Sequence, residues 1–204
     1  MGDARTILRG NALGTIHVND SFARVMGQRS CIIDVSSMAA HLVPTLLLPT
    51  GDYPLAHSDP RALMARLERR VSLFPRSKRS SLAYGISKHF VVWYAKACAV
   101  RLAPKGIRVL SVSPGTFDTP MAALEEGAAA YLSPLGRIGK PDEIAELLAF
   151  CASEAPGYLT GTDIVCDGGY VAASETTPTL EKLRKVVLNA FGPKLIASAA
   201  GGRS

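Results

Sequence analysis

Two residues four apart, Tyr84 and Lys88 in the stretch SSLAYGISKHF (80–90), are the sharpest chemical signal in this sequence. Positions i and i+4 share a helix face, so an ammonium at 88 can stand beside a phenol at 84. A free phenol titrates near pH ~10, and a neighbouring positive charge favours its anion. A phenol so placed can exchange a proton with an alcohol or carbonyl near neutral pH. The spacing alone is also compatible with two polar residues on a solvated face. Two further groups change the weighing. Ser36-Ser37 closes the apolar run CIIDVS (31–36), and Pro114-Gly115-Thr116-Phe117-Asp118-Thr119-Pro120-Met121 follows the run IRVLSVS (107–113). In open parallel sheets, ligands bind beyond the carboxyl ends of the strands. Ser37 and Thr119 would offer hydroxyls there, and Gly115 would let backbone approach a flat ligand.

The elements that must position these groups alternate. Residues 4–26 read as a helix with Ile7, Leu8, Ala12, Thr15, Ile16 and Phe22 along one side. The strand 31–36 follows, then a long helix from about 83 to 103 closed by Pro104 and Gly106. The strand 107–113 ends at Pro114-Gly115. A further helix starts at Pro141, with Asp142 and Glu143 at its positive end, and a strand DIVCDGG begins at about 163. Strands apolar on both faces and separated by helices imply an α/β fold with a parallel, helix-covered sheet. Residues 42–80 read as an insertion holding one helix, DPRALMARLERRVSLF, with Asp59 as cap and Leu63, Leu67, Val71 and Phe74 as its stripe. Residues 171–204 read as a tail with one amphipathic piece, TLEKLRKVVLNAF, whose Leu180, Leu183 and Val187 need cover in this subunit or another.

With these pieces in order, the sequence resembles the short-chain dehydrogenase/reductase family. NALGTIHVNDSF is similar to the family's asparagine-bearing helix, IIDVSSMAA to its serine strand, AYGISK to its YxxxK helix, and VSPGTFDTPM to its nicotinamide loop. GRIGKPDEIAELLAFCASEAPGYLTGTDIVCDGG is similar to its closing helix and strand. The resemblance implies a Rossmann-like doubly wound parallel sheet and NAD or NADP as cofactor. It implies Tyr84 as general acid/base, and Lys88 as the cation beside it that also holds the nicotinamide ribose. Ser37 would bond the substrate oxygen, and Asn11 would hold a water linking Lys88 to solvent. Pro114, Gly115, Thr116, Phe117 and Thr119 would line the cofactor. The long gap between Ser37 and Tyr84 resembles the subgroup with bacterial 3α-hydroxysteroid dehydrogenase/carbonyl reductase and coniferyl-alcohol dehydrogenases. That implies apolar alcohol or ketone substrates, steroid-like or aromatic, and an insertion close to the usual subunit interface of a homo-oligomer.

One piece of the family pattern is missing. No TGxxxGxG turn, which would seat the pyrophosphate at a helix N-terminus, occurs anywhere in the chain. The expected fold is therefore the C-terminal portion of the doubly wound sheet. A partial catalytic domain over 1–170, with its insertion, would precede the tail at 171–204. Two readings stay open: an oxidoreductase, or a non-catalytic remnant or interaction module that needs a partner to complete the sheet. Nucleotide binding by this chain alone is expected to be very weak.

Composition narrows the partners. The chain has 204 residues, 48% of them hydrophobic and 20% charged, enough to bury one real core. Its net charge of +6 permits an anionic partner without selecting one. The basic cluster of Arg61, Arg66, Arg69, Arg70, Arg76, Lys78 and Arg79 reads as a solvated helix face and loop rather than a nucleic-acid site. Cys31, Cys98, Cys151 and Cys166 form no CxxC pair, and no His stands at ligand spacing from them, so they read as reduced thiols of a cytoplasmic protein with no metal. The first residues, MGDARTILRG, lack the apolar core of a signal peptide, and the longest apolar run, 42–49, is too short to span a bilayer.

Overall fold

The chain is described from a computed structural model, which covers residues 3–120 and 133–177. Met121 and the amphipathic piece of the tail lie outside the described residues.

Asp3 caps the first helix, its Oδ1 accepting from Arg5 N at 2.8 Å and Thr6 N at 3.2 Å. The helical run then has three parts: α1 (Ala4–Leu8), a π turn (Arg9–Leu13) and α2 (Gly14–Val25). The wide turn suits the burial pattern. Leu8, Ala12 and Ile16 are all buried at steps of four, which a uniform 3.6-residue helix would rotate apart. After Leu13 the ordinary pitch resumes and the stripe continues through Asn19 and Ala23. Phe22, expected on this stripe, is instead 56% exposed.

Strand β1 (Cys31–Val35) leads to a single turn of helix, α3 (Ala39–Leu42), two 3-10 segments (Thr45–Leu47 and Thr50–His57) and α4 (Pro60–Ser72). Asp59 caps α4 as expected, accepting from Ala62 N at 3.0 Å, and Leu63, Leu67 and Val71 are buried. The insertion is bolted to the next helix by rings. Tyr53, fully buried, meets Phe90 edge-on at 5.3 Å, and His57 stacks on Tyr94 at 5.3 Å. That helix, α5 (Arg76–Leu102), begins well before the expected residue 83. The basic residues after Pro75 are good helix formers. Arg79 also ties the new turn back to α4, donating to Phe74 O at 2.8 Å and Ser72 O at 2.6 Å. Gly106, at φ 68°, closes the run in the left-handed conformation. Then come β2 (Arg108–Pro114), α6 (Pro141–Ala152), β3 (Asp163–Cys166) and α7 (Tyr170–Thr176).

The three strands form a parallel sheet in the order β1-β2-β3, with Asp34 opposite Ser111 and Ser111 opposite Asp163. Its two faces differ. Toward α6, Leu110, Val112 and Cys151 are buried with Ile33, Ile144, Leu147 and Ile164 packed on them. Toward α5, Val109 joins a core with Ile86, Phe90, Ala95 and Leu102, but Asp34, Ser36, Ser111 and Ser113 are buried polar residues. The strands are thus apolar on one face and mixed on the other. Among the described residues the outer edge of β1 has no strand partner, and Val35 there is 51% exposed. Among the same residues no helix is long and apolar enough to cross a membrane.

Candidate active site

The carboxyl end of β1 is fastened to α5 by two hydrogen bonds. Ser36 Oγ donates to Lys88 O at 2.8 Å, and Lys88 Nζ donates back to Val35 O at 3.0 Å. Lys88 stands 5.8 Å from the centroid of the Tyr84 ring, so the expected i, i+4 pair is formed. Burial lowers the Lys88 pKa from its ordinary value. Gly85 follows Tyr84 because a Cβ there would collide with the Val43 side chain, so only glycine lets the end of α3 approach α5 this closely.

Asn11 reaches the same turn from the other side. It lies in the π turn, its backbone carbonyl taken by the Thr15 hydroxyl at 2.6 Å, and its Nδ2 donates to Ser87 Oγ at 3.0 Å. Ser87, fully buried, donates in turn to Tyr84 O at 2.8 Å. Ser87 was not read from the sequence. A serine that bonds the carbonyl three residues back is a known helix habit, and its place inside YGISK is the signal that could have found it.

Ser37 follows at once. Its Oγ accepts from Ala39 N at 3.2 Å, its carbonyl accepts from Ala40 N at 3.0 Å, and Met38 N reaches Pro114 O at 2.8 Å. The loop after β2 is knitted to the chain itself. Gly115 N donates to Cys166 O at 2.8 Å, and a Cβ on Gly115 would fall 2.6 Å from Asp167 Cα. The close approach that this glycine was expected to give a ligand is made here by the end of β3. Thr116 O accepts from Gly139 N and Asp118 N donates to Gly139 O, each at 2.9 Å, with the Phe117 ring over Gly139. Thr119 ends this loop. Thr116 and Phe117, with Met38, Leu135, Asp167 and Tyr170, line a cavity of about 130 Å³. The structure therefore brings Asn11, Ser36, Tyr84 and Lys88 to one turn of α5, Asn11 through Ser87 to the Tyr84 carbonyl and Ser36 to the Lys88 carbonyl, while the Ser37 hydroxyl accepts from Ala39 N in its own loop. The Pro114–Thr119 loop meets that loop at Met38.

Among the described residues no group of three or more His, Cys, Asp or Glu could hold a metal. The four cysteines are free, and burial raises each thiol's pKa.

A parallel sheet with helices packed on both faces defines a class: the doubly wound α/β proteins. Comparison with known proteins narrows it. A family model described as Enoyl-(Acyl carrier protein) reductase matches residues 74–171. A cyclohexanol dehydrogenase of Acinetobacter sp. is 42% identical over 90 residues, 44% of this chain and 36% of that protein. A short-chain dehydrogenase/reductase of Alternaria brassicicola is 30% identical over 183 residues, 82% of this chain and 62% of that protein. The crystal structure of a short-chain type dehydrogenase/reductase from Mycobacterium marinum superposes with a TM-score of 0.59 at 32% identity, over 86% of this chain and 57% of that one. The chain belongs to the short-chain dehydrogenase/reductase family. It spans 36% and 62% of the length of the two curated relatives above.

Proposed function

We propose that the protein is an NAD(P)-dependent oxidoreductase that interconverts an apolar secondary alcohol and its ketone. The observation that carries this reading is the locked turn of α5. Lys88 is fixed to the end of β1 by the Ser36 and Val35 contacts, and the Tyr84 carbonyl is backed by Asn11 through Ser87. The residues present suit the nicotinamide end of a dinucleotide. Lys88 has three donors, of which one is directed at Val35 O, so it can also bond a ribose hydroxyl. The Pro114–Thr119 loop would flank the ring. They do not suit the pyrophosphate, for which the sequence offers no glycine-rich turn.

A bound nicotinamide supplies or accepts the hydride. The Tyr84 hydroxyl gives its proton to the carbonyl oxygen during reduction and takes it back during oxidation. The Lys88 ammonium stabilises the negative charge on the phenol while that proton is away. Ser37 donates a hydrogen bond to the same substrate oxygen, and Asn11 holds a water that links Lys88 to solvent. For substrate we favour a cyclic or aromatic apolar alcohol. The long segment between Ser37 and Tyr84 supports this, as do a relative named cyclohexanol dehydrogenase and another named cyclopentanol dehydrogenase. We take the cytoplasm as the compartment, on the four free thiols, a homo-oligomer as the working form, and residues 1–170 as the catalytic portion.

A second reading has its own support. Among the described residues the outer edge of β1 has no strand partner, which favours a chain that works only when a partner completes the sheet. Fluorescence titration of the 204-residue chain with NADH and with NADPH separates the two. Saturable binding, followed by alcohol oxidation that is lost in Tyr84→Phe, supports the enzyme reading; turnover that survives Tyr84→Phe overturns it. A folded chain that binds neither nucleotide favours the second.

A further inference from the structure

Beyond α5, the Ser37 loop is held by a second device, which spans the other two strands. His41, at the end region of α3, places Nε2 2.8 Å from Asp163 Oδ2 on β3. Asp163 also accepts from Ser111 Oγ at 2.5 Å and Ser113 Oγ at 2.8 Å, both on β2, and Ser113 Oγ lies 3.4 Å from His41 Nε2. The Asp163 side chain is 6% exposed and that of His41 25%.

A carboxylate this buried is costly unless its lone pairs are filled, and three partners fill them here. As a packing solution it is a poor choice. One residue along β3, and on the opposite face of β2, the same strands pack with Ile164, Leu110 and Val112. The polar cluster sits where the chain faces a different need. Helix α3 is four residues long, too short to hold its own shape. It begins two residues after Ser37, whose hydroxyl caps it at Ala39 N. The backbone of Met38 is pinned to Pro114, but among the described residues the side chain that carries α3 across to β3 is His41.

We propose that His41 and Asp163 are positioning residues for Ser37: the pair clamps α3 across β2 to β3 and so fixes the direction of the Ser37 hydroxyl. This rests on the reading of Ser37 as the residue that bonds the substrate oxygen. The clamp can be tested separately from that reading. Amide hydrogen exchange in the full chain, without nucleotide, should show Met38 and Ala39 exchanging about tenfold faster or more in His41→Phe and in Asp163→Ala. Ser36, whose N–H is held by Val112 O, should be unchanged. His41→Gln keeps a donor for Asp163 and should restore most of the protection. If His41→Phe fails to fold, Asp163→Asn decides it: an amide cannot accept from all three donors, so Met38 and Ala39 should exchange faster than in wild type, and unchanged exchange overturns the clamp. Unchanged exchange at Met38 and Ala39 in folded Asp163→Ala or His41→Phe protein overturns the clamp. In protein that turns over alcohol, the broken clamp should lower kcat about tenfold with little change in KM, and His41→Gln should recover much of it. A purely structural pair would instead reduce the active fraction and leave kcat per active site untouched, which also overturns the proposal. Faster exchange in a protein in which Ser37→Ala leaves turnover intact would uphold the clamp and sink the reading of Ser37.

Discussion

The two faces of the sheet are built from the same three strands by opposite means. Toward α6 the contact is apolar throughout, with Leu110, Val112, Ile33 and Ile164 against Ile144, Leu147 and Cys151. Toward α5 the part with Ile32 and Val109 is equally apolar, but Asp34 and Ser36 of the β1 end, Ser111 and Ser113 of β2 and Asp163 at the start of β3 are each buried or nearly so and each hydrogen-bonded. Apolar contacts stabilise in proportion to the area they bury and tolerate small slips. Hydrogen-bonded contacts contribute less net stability but fix atoms in place. The face with Tyr84, Lys88 and Ser37 is the face where placement is specified. The opposite face supplies cohesion.

That contrast can be broken or sharpened by substitution. The largest effect expected is on chemistry: Tyr84→Phe should lower alcohol oxidation by about 10²–10⁴-fold with the melting temperature unchanged, read by steady-state kinetics beside a thermal melt. Next is cohesion. Leu110→Ala on the α6 face should cost about 2–5 kcal/mol in denaturant unfolding, while activity per folded molecule stays near wild type. A large loss of kcat there, at full folding, would erase the division between the faces.

Asp34 provides a smaller effect with a definite pH dependence. Burial raises its carboxyl to about 6, against the lowering effect of the Asn19 amide, which donates to it at 2.8 Å. A value higher in the folded than in the unfolded state means that this residue's contribution is fully present below about pH 4. It is lost as pH rises through about 6. Asp34→Asn should therefore stabilise by about 1–3 kcal/mol at pH 8, since each tenfold in proton affinity is worth ~1.4 kcal/mol. The gain should vanish at pH 4. The new amide also supplies a donor near Asn19 Oδ1, a buried acceptor with no partner among the described residues. Asp163, in the same seam, behaves oppositely. Burial would raise it, but the His41, Ser111 and Ser113 hydrogen bonds together outweigh burial and hold it below the usual carboxylate range. Its contribution is present at neutral pH and is lost as the pH falls through that lowered value. Both variants should thus converge on wild type in acid and diverge from it toward neutral and higher pH with opposite signs, Asp34→Asn more stable and Asp163→Asn less stable. The smallest effect belongs to the surface: Arg66→Ala, which removes an exposed pair with Asp52, should change stability by less than about 1 kcal/mol.

Much of this was legible in the sequence, because periodicity and strand ends are local properties. The parallel α/β order, the Asp59 cap, the stripe of α4 and the i, i+4 pairing of Tyr84 with Lys88 all follow from short stretches. What was hidden depends on residues far apart in the chain. Ser87 reads as an ordinary helix serine until Asn11, 76 positions away, is seen bonded to it. Asp163 and His41 are 122 apart and carry no motif. Phe22 and the early start of α5 were misplaced for a related reason. A uniform 3.6-residue count cannot foresee a π turn, and Arg79 extends a helix by gripping carbonyls of the preceding one.

The π turn has a consequence at the level of genes. Its one wide turn absorbs a residue that an unbroken α-helix would not need. Loss of a single codon between Arg9 and Leu13 would leave a continuous helical rod of nearly the same length. With one residue fewer, Leu8 would stand seven residues before Ile16, about two α turns, and would keep its place on the buried line, while the wide turn that carries Asn11 would be gone. Among related sequences, the length of this one segment is thus a marker of whether the asparagine is presented to the YxxxK turn. It can be scored by counting residues alone.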